Sequence, residues 1–303
     1  MIHEERVRVS PEAPSASRVD RAAGIREEVG FFGSGDQRMF GCAYQPLNLP
    51  PGGAVVICPS LHAEVIANYR REVLVARALA ARGFAVQRFQ FRGTGHSDGE
   101  SSELTFETMR RDTMDAARHL LEAVGLGAPA FVGTRWGGTV AAAVAAGFPG
   151  APLALWEPIV MPARWFRETG RAERIRGLAG ESASAAGERG VIERLRDGEM
   201  VDILGYPIDP ALYASSADRS LAAELGEAPR PVLIIQLARA KRLRGEYREL
   251  VARWGGLGFD VEVEMIPEDG SWWFHDPRPA ATEALGKLTV RWLARHALAE
   301  RIR

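Results

Sequence analysis

The chain has 303 residues and 33.0 kDa, with a formal net charge of -1 and a pI near 6.6, which excludes a whole-surface basic field for nucleic acid. Hydrophobic residues make up 46% and charged residues 25%, an ordinary globular composition, and no apolar run approaches the ~18 residues of a membrane-spanning helix. Two cysteines, Cys42 and Cys58, exclude a disulfide framework and a cysteine-rich zinc site.

The start, Met1-Ile2-His3-Glu4-Glu5-Arg6, is too charged for a signal peptide, so a cytoplasmic protein is expected. Residues 1–26 are polar, carry Pro11 and Pro14, and show no apolar period; they read as a mobile arm, which could serve a homodimer or another partner. Residues 28–33 and 39–44 are short β-like runs around the turn cluster Ser34-Gly35-Asp36, an antiparallel hairpin.

From residue 54 the rhythm changes. Ala54-Val55-Val56-Ile57-Cys58 is a continuous apolar run, as expected of a strand buried on both faces. A helix through Val73, Leu74, Ala78 and Leu79 ends at Gly83, and a strand follows at 84–89. A helix at 105–124, a strand at 130–133, a small-residue helix at 137–147 and a strand at 152–156 continue the alternation. Such alternation implies right-handed crossovers and a mostly parallel sheet. Residues 162–222 break it, with dense Arg and Glu and no readable strand, and are read as a helical lid inserted after the sixth strand. Strands at 232–236 and 261–266 and helices at 243–254 and 279–299 complete the pattern. The domain expectation is an α/β core over 27–161 and 223–303, built on an eight-stranded sheet with helices on both faces, and a lid over 162–222.

Gly133-Thr134-Arg135-Trp136-Gly137-Gly138 lies between a strand and a small-residue helix. That is the setting of the nucleophile elbow Gly-x-Ser-x-Gly, whose outer glycines allow a sharp turn and close strand–helix packing. Arg135 stands at the central position. A guanidinium stays protonated and cannot attack a carbonyl. The stretch Phe91-Arg92-Gly93-Thr94-Gly95-His96-Ser97-Asp98-Gly99 resembles the Arg-Gly-x-Gly-x-Ser loop of the α/β-hydrolases, and Pro59-Ser60-Leu61-His62-Ala63-Glu64 falls where an oxyanion loop belongs. No acid precedes Glu246 after the strand at 232–236, and the usual histidine slot after the last strand falls at Trp272 or Trp273, with His275 a little beyond.

Over residues 29–299 the chain therefore resembles the α/β-hydrolase superfamily, in its serine-aminopeptidase-like branch. Within that branch it is similar to the hydrolases associated with exosortase A systems, type two. The matching stretches are Ala63-Glu64 with Arg70-Arg71, the elbow, Leu155-Trp156-Glu157-Pro158, Gly205-Tyr206 and Gly270-Ser271-Trp272-Trp273. The resemblance implies the fold, an arginine in the elbow as a family trait, and a setting in a biosynthetic cluster; it implies no established reaction.

Two uses of Arg135 follow. It binds an anionic ligand group above a helix N-terminus, or it is neutralised internally by Glu157 or Glu64. His62, or His275 paired with Glu157, is the candidate for proton transfer. Leu61, Glu64, Trp136 and Trp272 are candidate ligand contacts, and Trp136, Trp156, Trp272 and Trp273 a candidate aromatic wall. The first functional expectation is a protein without a Ser-His-Asp triad that binds a small anionic or amphipathic molecule, such as a carboxylate, or catalyses a non-hydrolytic step. The alternative is an esterase, thioesterase or amidase with relocated residues, using Ser60 as nucleophile or a water activated by His275 with Glu157. Cys58 reads as a buried small hydrophobe. Without a phosphate loop, Rossmann fingerprint or metal-spaced ligands, no cofactor and no metal are expected.

Overall fold

A computed structural model describes residues 15–33, 37–178, 189–239, 241–268 and 278–298. One nine-stranded sheet runs in the order β1-β2-β3-β5-β4-β6-β7-β10-β11. Its strands are β1 (Ala16–Asp20), β2 (Ile25–Phe32), β3 (Met39–Pro46), β4 (Gly53–Cys58), β5 (Phe84–Phe89), β6 (Ala130–Thr134), β7 (Leu153–Trp156), β10 (Pro231–Leu237) and β11 (Asp260–Ile266). The first four pair antiparallel along β1, β2, β3 and β5; the remaining pairings are parallel.

The central parallel strands β4, β6, β7 and β10 are largely apolar because both faces are covered, whereas the edge strand β11 alternates Val with Asp and Glu. In β4, Ala54, Val56 and Cys58 face one core and Val55 and Ile57 the other, the two-residue period of a strand. Helices α1 (Ala63–Ala81) and α9 (Pro279–His296) cover the second face; α2 (Phe106–Val124), α3 (Trp136–Ala145) and α8 (Gly245–Gly256) cover the first. Helix α2 shows why its boundaries were legible: Thr105 caps the start by accepting from the Thr108 amide, and Gly125, at φ 70°, closes the end.

Two expectations need correction. The segment expected to be a structureless arm through residue 26 contains β1, which pairs along its whole length with β2, from Ala16 opposite Val29 to Asp20 opposite Ile25. That strand raises the expected eight to nine; residues 1–14 and the turn at 34–36 lie outside the described residues. The insertion at 162–222 is not purely helical. Besides α4 (Pro162–Leu178), α5 (Val191–Arg196), α6 (Pro210–Ser216) and α7 (Leu221–Leu225), it holds a hairpin of β8 (Val201–Ile203) and β9 (Tyr206–Ile208). Its turn residues Leu204 and Gly205 both have positive φ, 57° and 82°, as a tight two-residue hairpin turn demands. Among the described residues no helix is long and apolar enough to cross a membrane.

Candidate functional site

The carboxyl ends of β4, β6 and β7 meet beneath the insertion. Each is followed by a non-glycine residue at positive φ: His62 at 53°, Arg135 at 53° and Glu157 at 48°. Such backbones cost of order 1–3 kcal/mol each. At the elbow the neighbouring glycines make the turn sterically feasible. A Cβ on Gly137 would run into the carbonyl oxygens of Cys58 and Pro59, and one on Gly133 would lie 2.5 Å from the Gly138 Cα. Arg135 is thereby lifted between β6 and the first turn of α3, its side chain buried.

The guanidinium is held from two sides. Nη2 donates to Glu64 Oε1 at 3.0 Å, and Nη1 donates to the Glu157 carbonyl oxygen at 3.3 Å. Burial works against the charge, but Glu64 and then Glu157 outweigh it and keep the Arg135 pKa above its ordinary value. Of the two internal partners expected, Glu64 is therefore the one whose carboxylate takes the ion pair. The Glu157 carboxylate turns elsewhere: it pairs with Arg244 and accepts from the Leu237 amide at 2.6 Å. Burial raises the Glu157 pKa against the pull of Arg244 and Arg135. The Tyr247 hydroxyl donates to the Pro158 carbonyl at 3.0 Å and fixes the loop that follows.

The insertion closes over this ion pair. The Trp165 Nε1–H donates to Glu64 Oε1 at 3.0 Å, the same oxygen that holds Arg135. Trp165 also packs edge-on against Trp136, with centroids 5.4 Å apart, and lies 6.2 Å from the His62 ring. A cavity of about 250 Å³ opens on the other side, lined by Arg135, Pro158–Met161, Arg164, Trp165, Glu168, Arg244 and Glu246. Arg164 bridges Glu168 and Glu246 at its mouth, at 2.7 and 3.0 Å.

The candidate residues separate as follows. Arg135 lines the cavity, and Glu64 sits behind it. Leu61, His62 and Glu64 line a second, much smaller cavity across Trp165. Buried Nε2 of His62 has no hydrogen-bond partner among the described residues, and burial pulls the imidazole pKa down to about 4. Trp136 is wholly buried against Trp165 and Phe166, so it belongs to the core and not to the outer cavity. The Trp156 indole points to the opposite face, donating to Thr289 at 3.0 Å, which removes it from any aromatic wall. His275, Trp272 and Trp273 lie outside the described residues.

Ser60 is buried and accepts from Asn68 Nδ2 at 3.3 Å, while the partnerless His62 Nε2 does not accept from it. Cys58 is fully buried with its pKa pushed up to about 12, an inert thiol. Arg244, Trp165 and Tyr247 were not anticipated. The signal for Arg244 was present: Arg239, Arg242 and Arg244 occupy the stretch where an acid was sought, so the position opposite Glu157 carries a cation. Trp165 lies in a helix with no local pattern tying it to the elbow. Among the described residues no cluster of metal-ligating side chains occurs.

Comparison with known proteins agrees with the fold. The family model of the alpha/beta hydrolase fold matches residues 53–154, from β4 through the elbow to β7. Among solved structures, an esterase from Pyrococcus furiosus superposes with a TM-score of 0.60 at 12% identity, covering 94% of this chain and 91% of that one. The fold is that of the α/β-hydrolases. Est1E from Butyrivibrio proteoclasticus, with ferulic acid bound, gives a TM-score of 0.56 at 14% identity, over 87% of this chain and 99% of that one. A dienelactone hydrolase from Anabaena variabilis gives 0.54 at 15%, over 91% and 100%. No curated protein matches the chain. At these identities the likeness speaks for the α/β-hydrolase fold alone.

Proposed function

We propose that this α/β-hydrolase-fold chain binds a small carboxylate in the cavity beside Arg135 and forms no acyl-enzyme. One observation carries the reading: the residue raised at the elbow is a guanidinium, in the position where this fold presents an attacking oxygen. Two features support the anion, although each of the three cavity arginines is also paired with a carboxylate. Arg135 caps the N-terminus of a ten-residue helix, whose free amides and dipole favour negative charge. Its head group is already fixed by Glu64 and the Glu157 carbonyl, so little ordering is left for the ligand to impose.

In this reading the nucleophile position is Arg135 and the Ser-His-Asp triad is missing. Arg135 and Arg244 orient the carboxylate, the insertion acts as a lid, and any reaction is a non-hydrolytic step of a cytoplasmic biosynthetic pathway. The resemblance of the elbow and of Leu155–Pro158 to the hydrolases associated with exosortase A systems supports the arginine elbow and the biosynthetic setting, and implies no reaction. A relocated serine hydrolase is disfavoured by Ser60, which is buried and has no imidazole on its hydroxyl.

The test is thermal denaturation of the full chain with acetate, butanoate and larger carboxylates. Stabilisation should rise with the logarithm of carboxylate concentration, reaching about 2.7 kcal/mol at a hundredfold excess over Kd. It should vanish in Arg135→Met combined with Glu64→Gln, which removes both charges together. A panel without any stabilising carboxylate, or covalent labelling by a fluorophosphonate serine probe, would overturn it.

A further inference from the structure

Helices α1 and α9 lie side by side over the second face of the sheet, and a groove of about 1040 Å³ runs between them on the outside. We propose that this groove docks an amphipathic helix of a partner protein, its apolar stripe on the groove floor and its acidic side chains towards Arg70 and Arg82. None of the groove residues lines the cavity beside Arg135, so the inference stands apart from the carboxylate reading.

The floor is apolar. Helix α1 supplies Leu74, Val75 and Ala78, and α9 supplies Gly286, Val290 and Ala294. Residues four apart share a helical face, so Arg70, Leu74, Ala78 and Arg82 form one row along α1, and Gly286, Val290 and Ala294 form another along α9. The small side chains of Ala78, Gly286 and Ala294 hollow these rows, as the packing of a further helix requires. Leu74 is 43% exposed, an aliphatic side chain left open to solvent in the middle of the row.

The edges are basic. Arg70 and Arg82 close the two ends of the α1 row, about three turns or ~18 Å apart. Lys287, Arg291 and Arg295 line the α9 edge, and Glu283 is the one carboxylate in the lining. The chain as a whole has a net charge of -1, so this excess of cations is local. The α9 cations reach Glu283, Glu264 and Glu262 in exposed pairs, which are weak. Arg70 and Arg82 make no ion pair among the described residues.

That distribution of charge selects the occupant. A second copy seated through the same groove on a two-fold axis would set these arginines against each other. An amphiphile with one head group would answer one end of the row and leave the other. A helix with apolar residues at i, i+3, i+4 and i+7 and glutamates beside them meets the floor and both ends together.

The experiment is fluorescence anisotropy on the full chain with labelled peptides of about four helical turns. The first carries leucines at i, i+3, i+4, i+7 and i+11 flanked by glutamates; the second has lysines for the glutamates; the third is a scramble of the first. The acidic peptide should bind saturably and at least about tenfold more tightly than either control. Arg70→Glu with Arg82→Glu should weaken it about tenfold, and Leu74→Gln should weaken it as well. Both variants change exposed side chains, so the urea midpoint should hold; should one of them shift it, the other decides. Failure of the acidic peptide to bind at about 1 mM, equal binding of either control, or binding indifferent to the variants overturns the proposal. Sedimentation showing a dimer that Leu74→Gln dissociates would give the groove to a second copy. Flotation with phosphatidylglycerol vesicles, lost in Arg70→Glu with Arg82→Glu, would give it to a lipid surface. Either result overturns the partner helix.

Discussion

Removing Arg135 alone should be far more damaging than removing it together with Glu64. The Arg135 side chain is 7% exposed and that of Glu64 is 2% exposed, so their ion pair is desolvated. In Arg135→Met the carboxylate stays buried, with the Trp165 N–H on one oxygen and no partner on the other. Breaking a buried pair in this way costs about 3–5 kcal/mol, most of it the burial of an uncompensated charge. Arg135→Met with Glu64→Gln removes both charges, and its cost should fall to about 1 kcal/mol, the scale of a lost hydrogen bond. The coupling between the two sites is then at least about 2 kcal/mol, well above the ~0.5 kcal/mol within which independent sites add. Urea unfolding reads this directly as a midpoint shift at constant m-value. At roughly 2–4 °C per kcal/mol for a chain of this size class, the single variant should melt about 6–20 °C lower. Equal losses in the single and double variants would refute the argument, because Glu64 would then not depend on Arg135 for its charge.

Other consequences are simpler to state. Gly137→Ala should destabilise by more than the ~1–3 kcal/mol of ordinary overpacking, read as a lower urea midpoint, since its Cβ meets two backbone carbonyl oxygens; a wild-type midpoint would show that the elbow has room. His62 has its pKa depressed to about 4, below its ordinary 6.5, so its neutral form is the one the folded state holds. The stability it contributes is complete above pH 6.5 and is lost as the pH falls from there towards 4, and His62→Gln should flatten that part of the stability–pH curve. A wild-type curve already flat between pH 6.5 and 4 would remove the burial argument. Arg244→Met should lose stability by leaving the Glu157 carboxylate with only the Leu237 amide and the more distant field of Arg135, and the double variant Arg244→Met with Glu157→Gln should recover part of it, as unfolding midpoints would show.

Much of this architecture could be read from residues alone, and the exceptions have identifiable causes. Strand β4 was legible because Val55, Val56 and Ile57 are buried on both faces and leave an uninterrupted apolar run. Strand β1 was not, because Ala16-Ser17-Arg18-Val19 is exposed along the sheet edge and is held by backbone pairing to β2 rather than by burial. Strands β8 and β9 are three residues each, too short for periodicity; the readable trace was Leu204-Gly205 between Val201-Asp202-Ile203 and Tyr206-Pro207-Ile208. At the site, Arg135 and Glu64 were legible for different reasons. The glycine spacing marks the turn, and a cation raised there requires a nearby carboxylate. Trp165 and Arg244 come from a helix and a loop far along the chain, and only the folded arrangement brings one to Glu64 and the other to Glu157.

The strained backbones argue that the side chains at this edge have work beyond packing. Glycine would carry the positive φ of residues 62, 135 and 157 without steric penalty. Instead an imidazole, a guanidinium and a carboxylate stand there, each paying strain of order 1–3 kcal/mol. Two of the three recover it through fixed partners: Arg135 through Glu64, and Glu157 through Arg244 and the Leu237 amide. His62 does not, for its buried Nε2 meets no partner among the described residues. The three strained positions therefore differ: the charges of Arg135 and Glu157 are held by protein partners, while the imidazole of His62 is held in its strained backbone without a hydrogen bond at Nε2 among the described residues.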